Sequence, residues 1–318
     1  MTSRIDDAPD TTIALVLDAA ETAARLPYAA LALEIRRTLL DDAVQVPARL
    51  VQALPGGGSL FVMPALDRRL AITKLITFTP ANAGTRRPTI QGDVVVFDIA
   101  TGQRRFILDG PTVTARRTAA VSMLAAQLLA PRLDGPLLIV GAGAQGHSHL
   151  AAFAQGLGVK TMMIASRSAA SARALADFAA TLGVKAHIID DPDAALADCP
   201  MVVTCTPASA VVLQATPQPD TFIAAVGAFT PTMLELGPEL CRFIARHGTV
   251  VIDTADANHE AGDLLQAGVD VGQCPTLHEV VRQPLPHRKG PVLFKSCGWA
   301  GWDLAAARTA ERSQDASH

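Results

Sequence analysis

Apolar residues along this chain change their spacing twice, and the changes predict three successive regions. Residues 11–40 carry Ala and Leu at helical spacing with an interruption near Pro27, which predicts one or two helices. Residues 46–108 change to short apolar runs separated by turn residues, which is typical of antiparallel strands. From residue 137 onward, strand-like runs alternate with helical ones, and this alternation predicts a mostly parallel sheet.

The second region predicts two hairpins and a connecting strand. Its strands are expected at residues 46–53, 60–65, 70–77, 93–99 and 105–108, with P-G-G-G-S as the first turn. A helix is expected at residues 112–130, where Pro131 ends it, and it leads into the third region. The part of the chain before this helix is therefore expected to form an α+β unit.

A glycine-rich turn opens the third region. It follows the apolar run 137–140 and precedes the helical pattern of residues 145–157, and a second strand at 161–165 completes a βαβ unit. Such glycines allow a tight turn and the close approach of a pyrophosphate, while the helix N terminus offers unpaired N–H groups. Glycines also serve turns that bind nothing, but the second strand favours a dinucleotide site. Its residues are Gly141, Ala142, Gly143, Ala144, Gln145 and Gly146.

The end of the second strand indicates which dinucleotide is bound. An NAD site usually has Asp or Glu about 20 residues past the glycines, where it binds the ribose 2′-hydroxyl. This chain has Ser166, Arg167 and Ser168 there, and a guanidinium flanked by hydroxyls suits a 2′-phosphate. In the alternative interpretation, Arg167 is solvated and Ser168 only caps the helix predicted at residues 169–182. NADP(H) is preferred, with NAD(H) as the alternative.

Further strands are predicted at residues 186–189, 201–205, 222–226 and 249–253, with a short helix ending at Asp198. Together with the first βαβ unit they predict a central doubly wound, Rossmann-type parallel sheet beside the α+β unit, hence an α/β protein. Ligands of such sheets bind outside the carboxyl ends of the strands. Strand-end residues are therefore candidates to line the site, although each also suits a cap or a turn. They are Thr204, Thr206, Gly227 and Asp253.

The composition is that of an ordinary globular protein. The chain has 318 residues, enough for two domains, with 49% hydrophobic residues, 18% charged residues and a net charge of −3. No basic cluster with interleaved aromatic residues points to nucleic acid, and no signal segment or long apolar run points to a membrane. Five cysteines without a C-x-x-C pair predict reduced thiols, and no spacing predicts a metal site. We therefore expect a cytoplasmic protein without metal, nucleic-acid or membrane partners.

Seven motifs in succession resemble the ornithine cyclodeaminase and mu-crystallin family. They span nearly the whole chain and read V-P-A-R, V-M-P-A, T-K-L-I-T, P-T-I-Q-G, I-L-D-G-P-T-V-T-A-R-R-T-A-A-V-S, G-A-G-A-Q and F-K-S-C-G. The resemblance implies a homodimer. It also implies a substrate and dimerisation domain made of residues 1–115 and 293–318, and a dinucleotide-binding domain made of residues 116–292. Family members act on an imine or amine next to a carboxylate, with a nicotinamide as hydride donor or acceptor.

The resemblance assigns roles to individual residues. The family's carboxylate-binding residues fall on Arg49, Lys74 and Arg117, and Lys74 is also the catalytic candidate. Further cofactor contacts are expected from Thr89, Arg117, Val226 and Ser296.

Elementary chemistry agrees with these roles. Arg117 falls in the first turns of a helix, whose N terminus favours anions, and its guanidinium can bind a carboxylate through two hydrogen bonds. Arg116 is expected to face solvent, because successive helical residues point about 100° apart. If Lys74 faces a cavity, burial and nearby guanidinium charge lower its pKa and suit it to proton transfer; on an edge strand it would be solvated.

Two departures from the family pattern indicate the substrate. The cyclodeaminases have an Asp in the strand-end turn where this chain has Phe229, and a Glu before M-P where it has Phe61. Both acids would serve a second, cationic amine, so an ornithine substrate is disfavoured and a small cyclic imine is favoured.

Three functions follow as hypotheses. The preferred one is NADPH-dependent reduction of cyclic ketimine carboxylates, Δ1-pyrroline-2-carboxylate and Δ1-piperideine-2-carboxylate, to L-proline and L-pipecolate. The second is an alanine or N-methylamino acid dehydrogenase acting on open-chain imines, with ornithine cyclodeaminase activity a weaker alternative. The third is a mu-crystallin-like protein that binds NADPH and a small acid without turnover.

Overall fold

The computed structural model describes residues 15–82, 85, 87–207, 209–285 and 290–315. Short 3-10 helices lie at Pro80–Asn82 and Val271–Gln273. In chain order, the other elements are β1 (Leu15–Val16), α1 (Ala19–Arg25), α2 (Tyr28–Leu40), β2 (Leu50–Ala53), β3 (Ser59–Leu66), β4 (Leu70–Phe78), β5 (Ile90–Asp98), β6 (Arg104–Asp109), α3 (Gly110–Leu129), β7 (Leu137–Val140), α4 (Ala144–Leu157), β8 (Thr161–Ala165), α5 (Ala169–Thr181), β9 (Lys185–Ile189), α6 (Pro192–Ala195), β10 (Met201–Thr204), β11 (Ser209–Leu213), β12 (Phe222–Ala225), β13 (Leu234–Leu236), α7 (Pro238–His247), β14 (Thr249–Ile252), α8 (Ala257–Glu260), α9 (Gly262–Gln266), α10 (Leu277–Arg282), β15 (Val292–Lys295) and α11 (Ala300–Asp315).

The first half of the chain forms a six-stranded sheet in the order β1-β6-β5-β4-β3-β2. Strands β2 to β6 pair antiparallel with their neighbours, which confirms both predicted hairpins and the strand between them. The first strand is shorter than predicted, since pairing starts only at Leu50. Residues 11–14 of the predicted first helix lie outside the described residues, and Pro27 separates α1 from α2 as expected.

Strand β4 lies inside this sheet, between β3 and β5. Its residues alternate between buried and more exposed, and Leu70, Ile72, Lys74 and Ile76 point to the buried face. Helix α11 packs against β3 and β4 on that face, and α2 packs against α11. The expectation of an edge-strand lysine on solvent is therefore wrong.

Helix α3 leads from the antiparallel sheet to the parallel one. Asp109 caps its N terminus by accepting a hydrogen bond from the Thr112 N–H at 2.9 Å. Arg117 on this helix is buried. Arg116, expected on solvent, is only partly exposed, because its guanidinium lies 4.0 Å from the Tyr28 ring centroid and its Nε donates to the Leu26 carbonyl at 2.8 Å.

The second half forms a seven-stranded sheet in the order β14-β15-β12-β10-β7-β8-β9, in which every pair is parallel. All four residues of β7, β10, β12 and β15 are buried, as expected where helices cover both faces. The doubly wound parallel sheet predicted from the sequence is confirmed. A separate pair, β11 with β13, was not predicted.

The end of the chain joins both halves of the molecule. Strand β15 pairs with β12 and β14 in the parallel sheet, so residues 293–295, assigned to the first domain, pair with the second sheet instead. Helix α11 returns to the antiparallel half. The division into two domains stays a prediction.

Among the described residues, no helix combines the length and apolar character needed to cross a membrane, and no three His, Cys, Asp or Glu side chains are grouped to hold a metal ion. The five cysteines, all within this described part, form no disulfide.

Candidate active site

The predicted cofactor residues line up along one edge of the parallel sheet. Six neighbouring strands end in register at this edge, namely β8, β7, β10, β12, β15 and β14. The hydrogen-bond ladder continues one residue beyond the strand ends, for example from Gly141 N to Ala165 O and from Val226 N to Thr204 O, both at 2.9 Å. The chain leaves the sheet at this edge. The residues that follow the strands are Ser166, Gly141, Cys205, Val226, Ser296 and Asp253.

The three glycines of the turn differ in backbone conformation and in the space around them. Gly141 has a φ of +114°, and a Cβ atom there would lie 2.7 Å from the Cys205 carbonyl oxygen. A Cβ atom on Gly146 would lie 2.3 Å from the Gly141 carbonyl oxygen, so this glycine lets α4 pack on the turn. Gly143 faces open space and is exposed with Ala144. The middle of the turn is thus accessible to a ligand.

These residues fit a dinucleotide. Helix α4 begins at the exposed turn, its first N–H groups have no partner within the helix, and Gly143 offers no side chain to cap them. Nearby, the buried Oε1 of Gln145 and Oγ1 of Thr114 have no hydrogen-bond partner in the described part of the chain. Arg167, two residues past the end of β8, is exposed. Ser168 caps α5 through the Ser171 N–H at 3.2 Å, as one interpretation predicted.

A buried carboxylate, Glu235, organises the turns after β10 and β12. It accepts hydrogen bonds from the hydroxyls of Thr204 at 3.1 Å and Thr206 at 2.8 Å, and from the N–H groups of Thr206 at 2.6 Å and Gly227 at 2.7 Å. Burial raises the pKa of Glu235. Thr204 is completely buried, so in this conformation its hydroxyl serves the fold. Cofactor contacts by Thr204, Thr206 and Gly227 stay predictions.

Asp253 shapes the turn after β15. Its Oδ2 accepts hydrogen bonds from the Ser296 hydroxyl and from the N–H groups of Cys297 and Gly298, each at 2.8 Å. Gly298 has a φ of +92°, and a Cβ atom there would lie 3.3 Å from both terminal nitrogens of Arg117. The Asp253 carboxylate therefore places this turn directly against the Arg117 guanidinium.

Lys74 and Arg117 meet at one buried carboxylate, Asp303 of α11. Lys74 Nζ lies 2.8 Å from Oδ2 of Asp303, and Arg117 Nε lies 3.3 Å from its Oδ1. The side chains of Lys74 and Asp303 are only 1% and 0% exposed. Two of the three predicted carboxylate-binding residues are thus brought together, next to the carboxyl edge of the parallel sheet.

Burial lowers the pKa of Lys74 to about 8, and the charges of Arg117 and Arg49 lower it further, whereas Asp303 opposes them. Burial and nearby guanidinium charge thus lower the pKa of Lys74 as the sequence analysis expected, while its facing a cavity stays a prediction. Lys74 can therefore both hold and release a proton near neutral pH.

Arg49, the third predicted cation, forms an ion pair with Glu260 at the end of α8. Burial raises the pKa of Glu260 to about 7, although Arg49 opposes the shift. The second oxygen of Glu260 is buried without a hydrogen-bond partner among the described residues. The pair links the antiparallel half to the parallel half across the site.

Aromatic side chains line the same face of the antiparallel sheet as Lys74. Phe61 pairs with Ile76 in register, and Phe78 lies two residues further along β4. Phe78 meets Phe229, in the turn after β12, edge to face with ring centroids 6.1 Å apart. Thr89 accepts a hydrogen bond from the Thr79 N–H at 2.8 Å, and this places it beside Phe78. The positions where the family has acids thus contribute apolar surface.

Four acidic residues at or near the site were missed by sequence reasoning: Glu235, Glu260, Asp303, and Asp263, whose Oδ2 lies 2.7 Å from the Lys295 Nζ. Only Asp303 carries a visible signal, since it is the one charged residue between Lys295 and Arg308 and lies in the mostly apolar first half of α11. A lone charge at a buried helical position predicts a buried partner. The other three lie in mixed surroundings that do not distinguish them from surface acids.

An open glycine turn at the carboxyl edge of a doubly wound sheet is the arrangement of a dinucleotide-binding α/β protein. The model of the ornithine cyclodeaminase/mu-crystallin family matches residues 18–316, and the chain belongs to that family.

Relatives in this family align over nearly the whole chain. A Delta(1)-pyrroline-2-carboxylate reductase 1 of Burkholderia multivorans is 41% identical over 300 residues, 93% of this chain and 94% of the relative. A Delta(1)-pyrroline-2-carboxylate/Delta(1)-piperideine-2-carboxylate reductase of Azospirillum brasilense is 39% identical over 298 residues, with coverage of 93% and 94%. The structure of Thermococcus litoralis Delta(1)-pyrroline-2-carboxylate reductase, in complex with NADH and L-proline, superposes with a TM-score of 0.86 at 22% identity, covering 95% of this chain and 98% of that one. The superposition shows a shared fold.

Proposed function

We propose that the protein is a nicotinamide-dependent oxidoreductase that reduces cyclic ketimine carboxylates, Δ1-pyrroline-2-carboxylate and Δ1-piperideine-2-carboxylate, to L-proline and L-pipecolate. The observation that carries the proposal is the buried cluster of Lys74, Arg117 and Asp303 beside the open glycine turn. The names of the relatives at 39–41% identity support the same chemistry.

The charges of the cluster suit a monocarboxylate. Lys74 and Arg117 contribute two positive charges and Asp303 one negative charge, which leaves one positive charge for the substrate carboxylate. Arg117 supplies a planar guanidinium, whose paired donors match a carboxylate. Arg49 adds a further cation once its bond to Glu260 opens. A carboxylate held this way fixes the neighbouring C=N carbon in one position.

Lys74 is the proton donor in the proposed mechanism. A nicotinamide cofactor, when bound, would supply the hydride for the C=N carbon. Lys74 Nζ gives a proton to the imine nitrogen, so that the C=N double bond becomes a CH–NH single bond. The pKa of Lys74, about 8, keeps a large protonated fraction available at neutral pH.

The apolar wall favours a cyclic imine over a diamine. Phe61, Phe78 and Phe229 provide no counter-charge for a second, cationic amine. Moving such an amine from water to this wall would be costly, whereas a hydrocarbon ring buries apolar surface favourably.

Arg167 supports NADPH as the preferred cofactor. Its exposed guanidinium stands at the end of β8, flanked by Ser166 and Ser168, where it can bind a 2′-phosphate. The same position has no carboxylate for the 2′-hydroxyl of NADH.

A homodimer is also proposed. The face of the antiparallel sheet turned away from Lys74 carries exposed apolar side chains, Leu50 at 54%, Leu75 at 46% and Phe97 at 37% exposure. A second copy of the chain would remove this surface from water. A sedimentation-equilibrium mass equal to one chain would contradict it.

Steady-state assays test the function. Both cyclic imines are offered with NADPH and with NADH, and pyruvate with ammonia or methylamine serves as the open-chain control. We expect turnover of the cyclic imines with NADPH. Arg167→Gln should raise the KM for NADPH by about 10-fold or more, because the variant loses a charge-assisted hydrogen bond to the 2′-phosphate. The KM for NADH should stay unchanged. No turnover of either cyclic imine, or faster turnover of the open-chain pair, would refute the proposal.

A further inference from the structure

We infer that Asp303 is a positioning residue of the proposed reaction: it keeps Lys74 protonated and fixes the Arg117 guanidinium, so that one buried carboxylate aligns both cations toward the substrate. This inference rests on the proposed function, which assigns the substrate contacts to Lys74 and Arg117.

The geometry places the Asp303 carboxylate between the two cations, in contact with both. Its two oxygens point to different partners, Oδ2 to Lys74 Nζ at 2.8 Å and Oδ1 to Arg117 Nε at 3.3 Å. The three residues come from β4, α3 and α11, which are distant in the chain. A single carboxylate therefore sets the relative position of two cations carried by separate elements.

Charge around Lys74 gives the second argument. Arg117 faces it from α3 and Arg49 from the segment before β2, while Asp303 faces it from α11; Glu260 neutralises Arg49 from α8. Without Asp303, the buried cations of Lys74 and Arg117 would face each other without a shared counter-ion, with the partly exposed Arg49 nearby. An arginine does not give up its proton under these conditions, so Lys74 alone would become neutral. A neutral lysine could neither attract the carboxylate nor protonate the imine nitrogen.

Comparison with another buried acid argues against a merely structural role. Asp263 accepts hydrogen bonds from the backbone N–H groups of Glu235 at 2.6 Å and Leu236 at 2.9 Å, and so holds the chain in place. Asp303 accepts no backbone N–H hydrogen bond among the described residues, and its carboxylate contacts only the side chains of Lys74 and Arg117. Its contacts are with the two side chains that the reaction needs.

Lysine titration tests the inference without any need for turnover. The chain has only five lysines, Lys74, Lys160, Lys185, Lys289 and Lys295, so ¹³C-labelled lysine side chains can be resolved by NMR in the full-length protein. In the wild type, Lys74 should titrate near its pKa of about 8. In Asp303→Asn its midpoint should fall by at least about one pH unit. Lys295, paired with Asp263, is the internal control and should not move.

The pH profile of kcat/KM for the cyclic imine gives the functional readout. Reduction needs protonated Lys74, so activity is present below its pKa and lost above it. The alkaline limb should therefore move to lower pH in Asp303→Asn by the same amount as the NMR midpoint. Asp303→Glu keeps the charge and should restore most of the shift. An unmoved midpoint and limb in Asp303→Asn would overturn the inference.

The outcomes separate the two proposals. A wild type that turns over neither imine refutes the function, while the NMR titration still tests the role of Asp303. A wild type that turns over the imine, with an unmoved profile in Asp303→Asn, refutes only the inference. If Asp303→Asn fails to fold, the wild type is used instead: the NMR chemical shift of the ¹³C-labelled Asp303 carboxyl carbon should change over the pH range in which Lys74 titrates. A carboxyl chemical shift that stays constant over this range would also overturn the inference.

Discussion

The molecule contains two buried lysine–aspartate pairs of nearly equal geometry, one in each half. Lys74 and Asp303 lie 2.8 Å apart beside the antiparallel sheet, and Lys295 and Asp263 lie 2.7 Å apart beside the parallel sheet. All four side chains are at most 1% exposed. The pairs differ only in what surrounds them.

The surroundings give the two lysines opposite properties. Burial lowers the pKa of Lys74 to about 8, and the neighbouring guanidinium groups of Arg117 and Arg49 add to the shift. Burial also disfavours the charge of Lys295, but the carboxylates of Asp263 and Glu235 raise its pKa above the ordinary value. Excess positive charge thus prepares one pair for an anion and for proton transfer. Around Lys295, negative charge is in excess, and the carboxylates of Asp263 and Glu235 that carry it accept hydrogen bonds from backbone N–H groups. The second pair is therefore part of the scaffold.

Replacing Lys74 by methionine should have the largest effect of the three substitutions, and this effect should be on catalysis. The change removes a proton donor and a cation, so kcat/KM for the cyclic imine should fall by about 10²–10⁴-fold. Stability should change less, because Asp303 keeps Arg117 as its counter-ion. Steady-state kinetics measure the first effect, with NADPH binding followed by fluorescence as the control for folding. A kcat/KM within a few fold of the wild type would remove the distinction between the pairs.

Lys295→Met should act on stability instead. It leaves the buried carboxylates of Asp263 and Glu235 without a cation, and breaking such a pair from one side costs about 3–5 kcal/mol of unfolding free energy. Urea denaturation of this variant and of Lys74→Met, under the same conditions, measures the contrast. If the two variants lost equal stability, the scaffold role of the second pair would be wrong.

Glu260→Gln should give the smallest effect, a change in the pH dependence of KM. It tests whether Glu260 controls the charge of Arg49 near the Lys74–Asp303 pair. The pKa of Glu260, about 7, means that its carboxylate holds Arg49 above neutral pH and releases it below. In the wild type, the KM for the cyclic imine should therefore rise by about two- to fivefold as pH rises through 7, as expected for a partly exposed ion pair. The glutamine variant should lack this rise. An identical pH dependence of KM in both proteins would contradict competition between Glu260 and the substrate.

Local patterns determined the parallel half of this protein. Strands β7 and β8 begin and end where the apolar runs predicted, because spacing and the glycine turn are properties of neighbouring residues. Lys74, Arg117 and Arg49 were recognised as cations of one site from family motifs. The place of β15 in the parallel sheet and the partial burial of Arg116 were not predicted, since both depend on packing between distant segments.

Only the tertiary structure decided what these cations can do. Asp303 reaches Lys74 from the last helix, Glu260 reaches Arg49 across 211 positions of the chain, and Glu235 joins the turns of two strands. A pKa depends on burial and on which charges lie within a few ångströms, and neither is encoded in neighbouring residues. The sequence therefore determined the fold and the kinds of side chain in the site, whereas the folded chain decided which lysine is reactive and which is structural.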